Sequence, residues 1–503
     1  MPIREGKTAQ PSIVLVTPNW HWDSTPLPVE TLLVPVTPPL EYAYLYGSLK
    51  SKTQIQVIDA YASQMTIEEF GRVLADSKPS AIVVTTAPTL LYWRCPPMSV
   101  EATRIAIQTI RRITSATITI IGPHGTATPE WALAHTLADW CFRGTPEQDL
   151  PIRLITNDYE ASPYIASSKR SATISEVSNP SLPSARFDWI DFKLAYKPHM
   201  WRITDGELAV VSNVVRGITM ETSRGCPWAC AYCAKDLVRG RYNRRSIEAV
   251  SIELERAVKA GADYIYFIDE TFNIPDAGFA ELLDLIRKYD IRFGFQGRAD
   301  LVDEKMARRL ANSGCIYAEL GIDVISDSLS SRIGRRQELD RAQAGIDIAS
   351  KHIPIVRFNR INLDTLDYRE FFGVPEVSWS FPPGPAFPYP GAALGELVMR
   401  HYGYKGFDWD FALHYSWWLR LEVYLQRTQP EMKKADISAL QAAFLGLPRT
   451  AARSLAVTLN DVMKTPNALR QINAFRQTSK VGIGPNHTSR LPTAETALLP
   501  GAN

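Results

Sequence analysis

The 503 residues are 45% hydrophobic and 21% charged, enough apolar side chain to bury several cores, which excludes a disordered or collagen-like chain over most of the length. Fifty-five Lys and Arg face 53 Asp and Glu for a net charge of +2, so no bulk field draws the chain to nucleic acid or to an anionic membrane. No window reaches the roughly 20 apolar residues of a membrane span, and the first residues read as no secretory leader; the expected location is a reducing cytoplasm, with neither a nucleic acid nor a membrane as partner.

Between residues 12 and 154, short β-branched runs alternate with helical patterns. Strands are expected at 12–17, 54–58, 81–86, 118–121 and 140–142, and helices at 39–49, 66–76, 100–113 and 129–136. This alternation predicts a doubly wound, Rossmann-like α/β domain over residues 1–154, with its ligand beyond the carboxyl ends of the strands. Residues 155–215 read as a linker. A second alternation follows over 216–368, with strands at 219–222, 264–268, 292–296 and 317–321 and helices at 246–260, 277–289, 303–312 and 339–352. That spacing predicts a partial β/α barrel. Residues 369–477 read as a mostly helical C-terminal region suited to substrate specificity, beginning with the proline-rich stretch 378–391 and then helices at 409–427 and 437–475. The polar residues 478–503 read as a disordered tail.

The cysteines are Cys95, Cys141, Cys226, Cys230, Cys233 and Cys315, too sparse for a disulfide framework. Three of them fall in Cys226-Pro-Trp-Ala-Cys230-Ala-Tyr-Cys233, directly after an expected strand. A structural zinc site usually takes four protein ligands, and the nearest upstream histidine is His199. Three thiolates can instead hold three irons of a [4Fe–4S] cluster and leave the fourth iron open. A zinc loop completed by a distant histidine and three plain buried thiols are the alternatives.

The C-x3-C-x2-C spacing, with Tyr232 before the third cysteine, resembles the signature of the radical S-adenosylmethionine (SAM) superfamily. The resemblance implies that Cys226, Cys230 and Cys233 hold a [4Fe–4S] cluster whose open iron binds the amino and carboxylate groups of SAM. Tyr232 is then expected near the adenine. Ile268-Asp269-Glu270-Thr271-Phe272 is similar to the acidic segment that receives the methionine amino group, and a carboxylate there can pair with an ammonium. Asp269 is also compatible with a helix N-cap. Gln296, Arg298, Glu319 and Asp323 are expected at the ribose or the methionine carboxylate, with surface salt bridging as the alternative. The segment 353–363 lacks the Gly-x-Pro-Gly-Glu-Thr turn of many relatives, so the barrel is expected to be shortened or remodelled after its fourth unit.

In the first domain, Gly122-Pro-His-Gly-Thr-Ala-Thr-Pro-Glu130 follows an apolar strand and opens a helix, so its backbone can approach a bulky ligand closely. It is not the G-x-G-x-x-G dinucleotide fingerprint. With Arg143-Gly-Thr-Pro-Glu147 and Pro38-Pro39-Leu40, it resembles cobalamin-binding domains fused in front of radical SAM domains. The resemblance implies cobalamin contacts at Pro18, Thr85, Gly122, Pro123, His124, Gly125, Thr126, Gly144 and Glu147. The Asp-x-His-x-x-Gly motif, whose histidine ligates cobalt in many cobalamin domains, is lacking. His124 is therefore expected near the corrin and not on the metal, with an ordinary exposed histidine as the alternative. Trp20, His21, Trp93, Arg94 and Cys95 are candidates for the corrin faces, with packing as the plainer role of the tryptophans.

Two such cofactors imply an enzyme that moves a methyl group from SAM, through methylcobalamin, to an unactivated carbon of a small-molecule or natural-product substrate. The alternatives are radical cyclisation, oxidation or rearrangement with an auxiliary cobalamin, and a non-catalytic iron–sulfur sensor. A low-potential electron donor such as flavodoxin or ferredoxin is implied as partner.

Overall fold

Strands rich in Val, Ile and Ala over their whole length must be covered on both faces, and that is how the first sheet is built. In the computed structural model, which describes residues 12–23, 36–91, 95–172, 182–194, 196–200, 207–323, 326–373 and 384–462, six strands form this sheet. They are β1 (Ser12–Thr17), β2 (Gln54–Asp59), β3 (Ala81–Thr85), β4 (Thr117–Ile121), β5 (Trp140–Phe142) and β6 (Ile165–Ala166). The order is β2-β1-β3-β4-β5-β6. All neighbours are parallel except β6, which runs antiparallel to β5. β1 lies between β2 and β3, so the chain leaves it to opposite sides and a crevice opens past its carboxyl end. Thr17, Asp59 and Thr85 end the three strands there. The helix Ile67–Ser77 starts at a capping box in which the Thr66 hydroxyl accepts from Glu69 N–H and Glu69 accepts from Thr66 N–H.

The second sheet contains β7 (Gly217–Met220), β10 (Tyr264–Phe267), β11 (Arg292–Arg298), β12 (Cys315–Asp323) and β13 (Ile355–Arg360) in that spatial order, all parallel. Helices Ile247–Lys259, Phe279–Lys288, Glu304–Asn312 and Leu339–His352 alternate with the strands, as in an open section of a β/α barrel. A two-stranded antiparallel ribbon, β8 (Ser223–Arg224) with β9 (Asn243–Arg244), brackets the cysteine loop.

Several features depart from the periodicity. The linker contributes β6 and the short helix Leu208–Val211. A fifth barrel strand, β13, pairs with β12 along its length, so the sheet continues one unit past the expected end. The expected helix 437–475 is two, Lys434–Leu445 and Arg449–Val462, separated by Gly446-Leu447-Pro448. The proline ring cannot continue the first helix, and its fixed φ suits the start of the second. The helices Leu366–Phe372 and Ala393–His401 were not read from the pattern. Trp93, Arg94, residues 378–383 of the proline-rich stretch, residues 463–475 of the expected last helix and the tail 478–503 lie outside the described residues.

The C-terminal helices close onto the first domain. Trp409, fully buried at the start of Trp409–Thr428, donates its indole N–H to Thr128 Oγ1 at 2.7 Å, and its ring lies 4.4 Å from that of His124. Among the described residues no helix is long and apolar enough to cross a membrane.

Candidate active site

The cysteine loop begins where β8 meets a tight turn. Gly225 has φ +80°, and a Cβ there would lie 2.4 Å from the Arg241 backbone, so the turn requires glycine. Cys233 N–H donates to Cys230 O at 3.0 Å, while Ala231 is held from both sides: its N–H donates to Ile333 O and its carbonyl accepts from Leu394 N–H, each at 2.8 Å. The three thiols are free and partly exposed. Burial pushes the Cys226 and Cys233 thiols up from their ordinary range. Among the described residues no three His, Cys, Asp or Glu side chains converge on a site for one metal ion. A cubane cluster asks for something else, one thiolate to each of three irons, and three free thiols on one clamped loop fit that demand.

The carboxyl ends of the barrel strands surround this loop, but the expected SAM residues divide into two groups. Thr271 brings its hydroxyl to 3.6 Å from Cys226 Sγ. Glu270, beside it, is the carboxylate left open. Its side chain is 3% exposed, neither oxygen has a hydrogen-bond donor, and the Arg239 guanidinium stands 3.2 Å away. Burial raises its carboxyl to about 7 against the pull of Arg239. Gln296 donates its amide to Glu270 O at 3.2 Å and so steadies the turn.

The other expected contacts are engaged within the protein. Asp269 accepts from Thr222 N–H, the Thr222 hydroxyl and the Ser223 hydroxyl at 3.0, 2.7 and 2.5 Å, which ties β10 to the end of β7. Arg298 pairs with Asp300 through two nitrogens, donates to Arg335 O at 2.9 Å and covers the Trp228 ring at 4.2 Å. It props the cysteine loop from below. Glu319 accepts from Tyr266 and Asn359 at 3.1 and 2.6 Å, inside the barrel. Asp323, in the left-handed region at φ +62°, accepts from the Tyr232 hydroxyl and from Arg335, both at 2.8 Å. Tyr232 is thus anchored to the end of β12.

On the first-domain side, two pockets lie past the carboxyl ends of the strands. Thr126, Gly144 and Glu147 line the larger and Thr85 the smaller; Glu41 and Thr89 border both. Glu41 accepts from the Thr89 hydroxyl with Oε2, while its buried Oε1 has no partner, and burial lifts its carboxyl to about 7. Glu147 Oε2 is likewise buried and without a partner. Asp59 is raised to about 6 by burial, with its oxygens taken by Ala62 N–H and the Tyr196 hydroxyl, both at 2.9 Å.

The Gly-Pro-His segment packs against the strands of the first domain. Pro123–Ala127 is a short buried helix. A Cβ on Gly122 would lie 2.4 Å from Thr86 Oγ1, and one on Gly125 would lie 2.3 Å from Cys141 Sγ, so both glycines serve packing against strands. His124 is fully buried, with Nδ1 3.0 Å from the Thr86 hydroxyl and Nε2 2.6 Å from Pro97 O. Since a carbonyl only accepts, Nε2 carries the proton and Nδ1 accepts. Burial lowers the ring to about 4, so it is neutral and part of the seam with Trp409. Pro18 is buried past the end of β1.

A chain of ion pairs crosses between the domains. Glu147 meets Arg224 at 2.8 Å, Arg224 meets Glu221 at 2.6 Å, Glu221 meets Arg239 at 3.0 Å, and Arg239 meets Glu270 at 3.2 Å. Burial opposes ionisation of Glu221, but Arg224, Arg239 and Arg245 outweigh it and hold the carboxyl at about 2. Glu41, Glu221, Arg224, Arg239 and Arg335 were not foreseen. One signal was available: Glu221 and Arg224 stand three apart just before Cys226, and Glu41 is the single charge in its helix.

Residues 220–371 match the radical SAM superfamily. Over 318 residues the chain is 24% identical to the uncharacterized methyltransferase PH0819 of Pyrococcus horikoshii, an alignment covering 59% of this chain and 63% of that protein, so it spans less than two thirds of that relative's length. Among solved structures it is similar to the radical S-adenosylmethionine methyltransferase TsrM of Kitasatospora setae with cobalamin and a [4Fe-4S] cluster bound (TM-score 0.55, 18% identity, 76% of this chain and 74% of that one). TsrM is also known with tryptophan substrate and a SAM analogue bound. A second similar structure is the cobalamin-dependent S-adenosylmethionine radical enzyme OxsB with aqua-cobalamin bound (TM-score 0.54, 16% identity, 93% of this chain and 75% of that one). Residues 220–371 thus carry a radical SAM domain, and the chain has a fold similar to that of TsrM and the cobalamin-dependent OxsB.

Proposed function

We propose that this chain is a cobalamin-dependent radical SAM methyltransferase that places a methyl group on a carbon of a small molecule. The observation that carries the reading is the junction itself: the cavity at the switch point of the first domain is joined to the acidic turn beside the cysteine loop by the pairs from Glu147 to Glu270. Bound there, the cluster supplies the electron that cleaves SAM, and cobalamin supplies a cobalt that carries methyl.

In this reading Cys226, Cys230 and Cys233 hold the cluster, and Glu270, which pairs with Arg239 but receives no hydrogen bond at either oxygen, accepts the methionine ammonium of SAM. Glu41 and Glu147 face cobalamin with their unpartnered oxygens, which the amide groups around a corrin would satisfy. Thr85, Thr126 and Gly144 line the same space. The tryptophan bound to TsrM supports a small-molecule substrate here, and the C-terminal helices packed on the Gly-Pro-His segment are the region suited to choosing it.

Anaerobic reconstitution with iron, sulfide and cobalamin tests the reading. About four irons and one cobalt per chain are expected, followed by transfer of label from methyl-labelled SAM to product. Four irons without cobalt would remove the cobalamin assignment, zinc in place of iron would remove both, and an unlabelled rearranged product would favour a radical isomerase.

A further inference from the structure

The cysteine loop is held by a segment that belongs to no cofactor site described above. Between the helix Asp327–Arg332 and the helix Leu339–His352, residues 333–337 pass beneath the loop. Ile333 O accepts from Ala231 N–H at 2.8 Å. Gly334 has φ +72°, and a Cβ on it would lie 2.4 Å from Ala229 O, so the approach of the two backbones leaves room for glycine alone.

This contact delivers Arg335 to the loop. Its guanidinium is buried and fixed on three sides: Nη1 is 2.8 Å from Asp323 Oδ2, Nη2 donates to Gly321 O at 2.7 Å, and Nε donates to Gln337 Oε1 at 3.3 Å. Gly334, the preceding residue, also lies against Cys230: a Cβ on it would be 3.9 Å from Cys230 N. Asp323 also accepts from Tyr232, two residues from Cys230. A permanent cation, held rigidly by its own partners, therefore stands beside the cysteine loop.

We infer that Arg335 is a positioning residue that sets the reduction potential of the cluster through its charge, with Asp323 moderating it. The inference rests on the cluster reading of the preceding section. Reduction adds one negative charge to the cluster. A cation beside the cluster favours that reduced form, whereas the nearby Asp323 carboxylate opposes it.

The test is a dithionite titration of the reconstituted full chain, followed by electron paramagnetic resonance, after iron content has been measured. Arg335→Gln is expected to shift the reduction equilibrium about tenfold toward the oxidised form, which is 59 mV for one electron, and Arg335→Lys to recover much of it. Asp323→Asn, which keeps a residue tolerant of positive φ, is expected to shift the equilibrium the other way. Unmoved potentials in Arg335→Gln and Asp323→Asn with about four irons retained would overturn the inference. If the Arg335 variants do not retain four irons, Asp323→Asn decides alone: a rise supports the inference, and no change or a fall overturns it. A parent chain that binds no four-iron cluster would instead overturn the cluster reading.

Discussion

Glu41 stands among apolar and aromatic neighbours in Leu40–Leu49, buried against the switch-point cavities. Its raised pKa has a definite sign. The folded chain holds the Glu41 proton more tightly than the unfolded chain, so the stability this residue contributes is full below about pH 4.5 and falls as pH rises through about 7. The loss is on the order of 3 kcal/mol. Glu41→Gln is expected to flatten this decline and to make the ligand-free chain more stable at pH 8 by about 1–3 kcal/mol. Urea unfolding at pH 5 and pH 8 checks it, and an unchanged difference between the two would refute the assignment. Glu270 differs in kind, because a bound ammonium would supply the missing hydrogen bond. Glu270→Gln is expected to weaken SAM binding to the reconstituted chain roughly tenfold to a hundredfold, the worth of a charged hydrogen bond at about 1.5–3 kcal/mol. Equilibrium dialysis measures it, and equal affinity would exclude Glu270 as the ammonium partner.

The strands and helices of both sheets follow from patterns contained within each segment, which is why β1, β5 and the helices Pro129–Thr136 and Leu339–His352 match their expected bounds. The pattern was less informative where a short element is stabilised by its neighbours. β6 has two residues and exists through pairing to β5, and Pro123–Ala127 is a single buried turn and a half whose glycines answer to Thr86 and Cys141. A glycine that makes room for a strand and one that makes room for a ligand look identical in sequence. Gly125→Ala therefore tests packing: a loss of about 1–3 kcal/mol is expected in thermal unfolding of the ligand-free chain, from overpacking against Cys141. A stability equal to the parent would return the glycine to a ligand role.

Across the molecule, the domains are joined by buried charge as well as by the aromatic seam of Trp409, His124 and Trp131. Arg224 serves both Glu147 of the first domain and Glu221 beside the cysteine loop, and its guanidinium lies 5.6 Å from the Tyr44 ring. Arg224→Met would leave two buried carboxylates without this cation, and a loss of about 3–5 kcal/mol is expected. The pH dependence has the opposite sign from that of Glu41. Glu221 has a depressed pKa, so its contribution is present above about pH 4.5 and disappears as pH falls through about 2. Acid unfolding of Arg224→Met should begin at higher pH than that of the parent, and coincident acid transitions would show that the ion-pair chain does not hold the domains.

The order of strands and helices, and a cysteine loop of three thiols without a fourth, were legible because each depends on neighbours along the chain: periods of two or 3.6 residues, and a spacing of three and two between cysteines. Which carboxylates take part at the site was not legible, because burial and partnership arise between residues far apart. Glu147 and Arg224 are separated by 77 positions, Trp409 and Thr128 by 281. Asp269 and Glu270 are adjacent and chemically alike, yet Thr222 and Ser223 hydrogen-bond the first while the second has the Arg239 guanidinium beside it and no hydrogen bond. That difference comes from donors brought in by other strands, and only the folded chain sets it.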